Sequence, residues 1–185
     1  MRWRRLDVSG REEARVERTI TGWRLTGELD VAEEGVAARL RYVIDCDPAW
    51  RTRSALIEGE ANGSPIRFAL AADGTGNWTL DGSPVPEITG AMDVDLGFTP
   101  MTNTLPIRRL ALAVGESAPV RSAWLRFPEL RLEPLEQTYT REAEQVFRYR
   151  ASVDGSRSSP AWIRMSSGGC FTMKDCGRLR LDEVK

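Results

Sequence analysis

Aspartates at a spacing of two mark this 185-residue chain twice, as Asp45 with Asp47 and as Asp93 with Asp95. In an extended strand that spacing puts both side chains on one face. Such pairs can hold Ca²⁺, or divide acid and base roles in glycoside hydrolysis. Arginines follow both pairs: Arg51 and Arg53 after the first, Arg108 and Arg109 after the second. A guanidinium partner favours the ionised carboxylate, whereas a glycosidase acid needs its pKa raised. The pairs are therefore read first as turn anchors and ion pairs.

Trp50 lies beside the first pair, and an aromatic face among carboxylates and amides suits sugar recognition. Trp50 and Trp124 stay open between site and core, while Trp23 and Trp78 are expected in the core. Asn103, between Thr102 and Thr104, can reach a ligand or satisfy backbone groups near Pro100 and Pro106, and the second role is favoured. The candidate ligand-binding set is Asp45, Asp47, Trp50, Asp93, Asp95, Asn103, Arg108 and Arg109. Residues 93–110 hold most of it, mixed with Phe98, Leu105, Ile107 and Leu110. Burying so many polar groups requires a partner for each. The segment is thus either a polar joint that organises the fold or the lining of a site.

Other chemistry is thinly represented. The chain has no histidine, which removes Ser-His-Asp and Cys-His catalysis and His metal sites. The serines lack an evident activating base. Cys46, Cys170 and Cys176 form no metal or redox motif, and an odd number fits a reducing cytoplasm. A bridge between Cys170 and Cys176 fits their spacing but has no other support. Ser166-Ser167-Gly168-Gly169 is not followed by the Lys of a phosphate-binding loop. No cofactor and no metal are expected. Lys+Arg is 26 against Asp+Glu 27, so the basic excess of a nucleic-acid binder is missing. Residues 1–7 lack the apolar core of a signal peptide, and no apolar run is long enough to span a membrane. The expected location is the cytoplasm.

These residues must be positioned by strands, because the hydrophobic period is two almost throughout. Trp23, Leu25, Gly27, Leu29 and Val31 alternate with polar residues. So do Val36, Ala38, Leu40, Tyr42, Ile44 and Cys46. Glu33-Glu34-Gly35 and Asn62-Gly63 read as hairpin turns, and further turns fall at Asp73–Gly76, Asp81-Gly82 and Gly115-Glu116. Later strands are expected over Leu110–Val114, Val120–Phe127, Gln137–Thr140 and Val146–Ala151, with Pro128 and Pro134 as breaks and a polar turn at Asp154–Ser159. Glu12–Arg18 fits a strand or a short helix, and no other helix is evident. The fold class is all-β: a single domain over 1–185, many-stranded, antiparallel and curled into a roll or barrel-like sheet. A curled sheet with a mouth is a natural site for an apolar ligand.

The order of motifs resembles a bacterial glycolipid-binding family, formerly a domain of unknown function. The resemblance rests on Tyr42, Asp45-Cys46-Asp47-Pro48-Ala49-Trp50-Arg51-Thr52-Arg53 and Asp73-Gly74-Thr75-Gly76-Asn77-Trp78. It continues through Gly90–Asp95, Thr99–Leu110 and Gln137-Thr138-Tyr139. It covers roughly residues 1–150 and implies a curled β-roll similar to carriers of lipoproteins. From about residue 150 the chain departs from the family pattern.

The first functional reading is a non-enzymatic binder of an amphipathic ligand, a glycolipid by resemblance. Its acyl part would lie inside the curled sheet and its head group at the polar joint. The alternatives are a hydrolase of sugars or esters using the paired carboxylates, and an adaptor offering a sheet edge to a protein.

Overall fold

The computed structural model describes residues 2–5, 9–153, 156–157, 160–165 and 171–174. Two sheets account for nearly all of it. The first has eight strands in chain order: β1 (Arg2–Arg5), β2 (Ser9–Arg18), β3 (Trp23–Glu33), β4 (Val36–Cys46), β5 (Thr52–Ala61), β6 (Ser64–Ala72), β7 (Trp78–Leu80) and β8 (Ser83–Pro84). All its pairings are antiparallel, and the hairpin turns fall where the alternating sequence breaks, at Glu34-Gly35 and Asn62-Gly63. Asn62 and Gly63 both have positive φ, as a tight two-residue hairpin loop demands. Residues 12–18 form a strand rather than a helix turn.

The second sheet holds β9 (Asp93–Leu96), β10 (Ser117–Arg126), β11 (Arg131–Ala143), β12 (Val146–Val153), β13 (Ser156–Arg157), β14 (Ala161–Met165) and β15 (Phe171–Lys174). β9 pairs with β10 in parallel, with Ser122 opposite Asp93 and Leu125 opposite Leu96. A parallel pair needs a crossover rather than a hairpin, and residues 97–116 supply it. They contain the 3-10 turn Pro100–Asn103 and the helix α1 (Thr104–Leu110). The expected strand from Leu110 to Val114 is absent: Leu110 ends the helix, and Ala111 caps it in the left-handed conformation. β11 runs unbroken through Pro134 because pairing with β12 starts only at Glu136. One edge is open at Pro134, so a missing N–H is tolerated there.

Both sheets share one core. Leu25, Leu40, Tyr42, Ile44 and Ile57 from the first meet Leu96, Leu125 and Tyr139 from the second and Phe98 from the crossover. Burial of each such side chain contributes on the order of 2 kcal/mol. Thr52 joins the sheets at β9. Its N–H donates to the Met92 carbonyl at 3.1 Å, and its hydroxyl accepts from the Val94 N–H at 3.1 Å. Trp78 is buried, and its indole N–H donates to the Ala91 carbonyl at 2.8 Å. Trp23 is only half-buried. Cys170 and Cys176 lie outside the described residues, as do Ser166–Gly169 and most of the polar turn at 154–159.

Candidate functional site

The crossover is the polar joint, and its local sequence explains its shape. Thr99 is extended and its hydroxyl accepts from the Met101 N–H, while Pro100 opens the turn with a preset φ. Thr104 donates its hydroxyl to the Met101 carbonyl at 2.6 Å. Pro106 falls within the first turn of α1, where no N–H is needed. Arg108 and Arg109 occupy the last turn, which suits the negative end of the helix dipole.

Asp93 is fully buried and meets Arg109 through both carboxylate oxygens, at 2.6 Å to Nη2 and 3.0 Å to Nε. Asp95, one strand position further on the same face, accepts from Gln137 and, at 3.2 Å, from Thr102. Gln137 in turn accepts from Ser122 at 2.9 Å and lies 3.2 Å from the Tyr149 hydroxyl. Tyr139 donates to the Asn103 side-chain oxygen at 2.6 Å, and the Asn103 amide donates to the Pro100 carbonyl. Asp93, Asp95, Asn103 and Arg109 therefore come together in an interior network that ties α1 and β9 to β11.

Burial changes the electrostatics expected of these carboxylates. Desolvation raises Asp93 above the ordinary carboxylate range despite Arg109. Desolvation pushes Asp95 up to about 6, against the opposing bonds from Gln137 and Thr102. The sequence suggested that neighbouring arginines would hold the pair ionised. Arg109 does bind Asp93, but the loss of water outweighs it.

The other four candidates lie at a corner of the first sheet. Asp45 pairs with Arg24 across the β3–β4 hairpin, at 2.7 Å, rather than with Arg51 or Arg53. Asp47 anchors its own turn, accepting the N–H groups of Ala49 and Arg51 at 2.9 Å each. That turn holds Trp50 at a φ of 66° and lays its ring on Trp23, with centroids 4.3 Å apart. Arg108 caps the stack, its guanidinium carbon 5.8 Å from the Trp50 centroid. Adjacent in sequence, Arg108 and Arg109 thus serve different clusters, one at the surface and one inside.

Sequence reasoning missed Glu12. It is buried, accepts from the Tyr42 hydroxyl at 2.6 Å and receives the Thr99 hydroxyl at 2.8 Å. Tyr42 reaches it by lying over Gly27, where a Cβ would stand 2.4 Å from the ring. A signal was present. Glu12 falls in phase with Ala14 and Val16 on the inward side of an alternating strand, where a carboxyl group is out of place. Tyr42 itself stays a neutral donor, because burial and then Glu12 raise its pKa well above 10.0.

Glu12 also borders a cavity of about 870 Å³ formed along β2–β6. Its walls are mostly outward-facing residues, among them Arg11, Asp30, Arg39, Arg41, Glu58 and Pro65, while Leu29 and Leu40 turn their side chains into the core on the other face. Its rim is a charge ladder in which Asp30 accepts from Arg11 and Arg39 at 2.8 and 2.9 Å and Arg41 donates to Glu58 at 2.8 Å. Arg39 and then Arg11 hold Asp30 below the usual carboxylate range. Among the described residues no cluster of His, Cys, Asp or Glu could hold a metal ion.

Two curled sheets joined through a polar crossover define an all-β roll. The family profile described as "Putative glycolipid-binding" matches residues 1–159, and the chain belongs to that family. It is also similar to a solved DUF1089 family protein of Pseudomonas aeruginosa, 28% identical over 92% of each chain, with a TM-score of 0.79. Comparison with curated proteins finds no match. No helix among the described residues is long and apolar enough to cross a membrane.

Proposed function

We propose that this protein binds an amphipathic, sugar-bearing ligand without transforming it, and takes that ligand in the cavity along β2–β6. The observation that carries this reading is the composition of the walls. The aliphatic stems of Arg11, Arg39 and Arg41, with Pro65, offer apolar surface, and the charged heads of Arg, Asp and Glu offer donors and acceptors of both kinds. Sugar hydroxyls both donate and accept, so such groups can bond them, while an acyl or alkyl portion lies against the arginine stems and Pro65. The family description supports the same ligand class. Native mass spectrometry of the protein purified from its producing cells tests the reading. A bound mass that carries a hexose and an acyl chain supports it. Protein that stays ligand-free and also takes up no added alkyl glycoside opposes it.

One observation favours a hydrolase: Asp95, with its pKa raised to about 6, is poised to donate a proton near neutral pH. Against this, its oxygens are bonded to Gln137 and Thr102, and its neighbour Asp93 is fully buried on Arg109. Glycoside or ester turnover that Asp95→Asn abolishes in a folded protein would favour the enzyme.

A further inference from the structure

The end of the first sheet opposite the cavity carries an apolar tip among arginines that pair with no described carboxylate. Ile20, in the turn between β2 and β3, is fully exposed, which is unusual for a large aliphatic side chain. The turn is closed by the Thr19 N–H on the Gly22 carbonyl, at 2.9 Å. Gly22 packs so closely on the backbone of Cys46 and Asp47 that any Cβ would clash, which seats the tip beside the Trp50 turn. Behind Ile20 stands the half-buried Trp23–Trp50 stack, with Arg18 within 6.0 Å of one ring centroid and Arg108 within 5.8 Å of the other. Arg51 is exposed next to it.

These arginines differ from most of those along the first sheet. Arg11, Arg24, Arg39, Arg41 and Arg67 all pair with carboxylates across neighbouring strands. Arg18, Arg51 and Arg108 form no ion pair with a described residue. Of the carboxylates near the tip, Asp45 is paired with Arg24 and Asp47 is bonded by the amides of its turn, while Glu17 stands exposed opposite Arg24. The result is a local positive surface on a chain whose formal charge is -1.

We propose that this tip docks on the head-group layer of an anionic lipid membrane. Ile20 enters the boundary between head groups and acyl chains, the tryptophans lie at head-group depth, and Arg18, Arg51 and Arg108 meet lipid phosphates. An aliphatic tip, indoles and these guanidiniums on one surface match the layers of that interface. Arg24 offsets Asp45, and Arg18, Arg51 and Arg108 outnumber Glu17 and Asp47, which leaves net attraction to an anionic surface.

Vesicle flotation with the full chain tests this. Phosphatidylcholine vesicles are compared with vesicles mixed from phosphatidylcholine and phosphatidylglycerol. Binding is expected to the mixed vesicles, weakened by salt. Replacing Arg18, Arg51 and Arg108 together by Ser should weaken it at least about tenfold. Ile20→Ser should weaken it by roughly fivefold or more, from lost apolar insertion. Arg51→Glu, at an exposed site, provides a variant whose folding is not at issue and should also reduce binding. Absence of binding to the mixed vesicles would overturn the proposal. So would binding that ignores all these substitutions, or a preference for an anionic oligonucleotide over the vesicles.

Discussion

The Tyr42 hydroxyl donates a 2.6 Å hydrogen bond to the buried Glu12 carboxyl group, from a ring that lies over Gly27. This contact spans three adjacent strands and fixes Glu12, which borders the cavity. It also meets the crossover, because Thr99 bonds the same carboxyl group. Tyr42→Phe should therefore lower stability by on the order of 1–2 kcal/mol, as expected for a bond to a buried carboxyl group. Chemical denaturation measures this directly, and an unchanged midpoint would show that Glu12 is held without it.

The Tyr42 ring fills the room that Gly27 leaves. Gly27→Ala should destabilise by roughly 1–3 kcal/mol, since a methyl group would force the ring aside. In a Tyr42→Ala background most of that cost should vanish. A double-mutant cycle reads the coupling, and additive penalties would mean that the ring does not occupy this position.

Arg109 and Asp93 form a pair whose members are unequally placed, because Arg109 retains 20% of its side-chain exposure and Asp93 none. Arg109→Ala should cost about 3–5 kcal/mol near neutral pH by stranding a buried carboxylate. The loss should shrink on acidification, as Asp93 takes up a proton. Arg108→Ala, which removes only an exposed contact with Trp50, should cost no more than about 1 kcal/mol. Equal effects of the two substitutions would contradict the assignment.

Asp95 predicts a pH dependence with a definite sign. Its carboxyl group titrates at about 6 when folded, against 3.8 as the reference value. A raised folded pKa means that the contribution is complete below the unfolded pKa and is lost as pH rises through 6. Between pH 4 and 6.5 the native state should lose on the order of 2 kcal/mol relative to a protein without this group. Asp95→Asn should flatten the profile in this window. A profile unchanged by that substitution would mean that Asp95 titrates normally.

Much of the first sheet was legible because local rules decide it. The β3–β4 turn at Glu34-Gly35 fixes the register, so Arg24 faces Asp45 and Arg39 faces Asp30. That arithmetic could have named the partner of Asp45 from sequence, where nearness along the chain suggested Arg51. The polar joint was legible as a cluster but not in detail. Residues 104–110 are helical, and consecutive helical positions point about 100° apart, so Arg109 turns inward to Asp93 and Arg108 outward to Trp50. Read as extended chain, the segment hides that distinction. Thr99-Pro100 was the signal for a helical start. The parallel pairing of β9 with β10 had no local mark, since it depends on a strand met only after the crossover. The raised pKa values of Asp93 and Asp95 were likewise hidden, because desolvation depends on what packs around them from the other strands.

Calorimetric titration with a short alkyl glycoside, kept below its micelle concentration, tests the binding reading most directly. Arg39 and Arg41 line the cavity from exposed positions, and surface pairs of this kind contribute little to folding. Saturable binding is expected, weakened about tenfold when Arg39 and Arg41 are replaced together by Ala, with two guanidiniums lost as hydrogen-bond donors. Arg51→Glu, at the far end of the sheet, should leave this affinity unchanged. No heat of binding, or an affinity indifferent to Arg39 and Arg41, would contradict the binding reading.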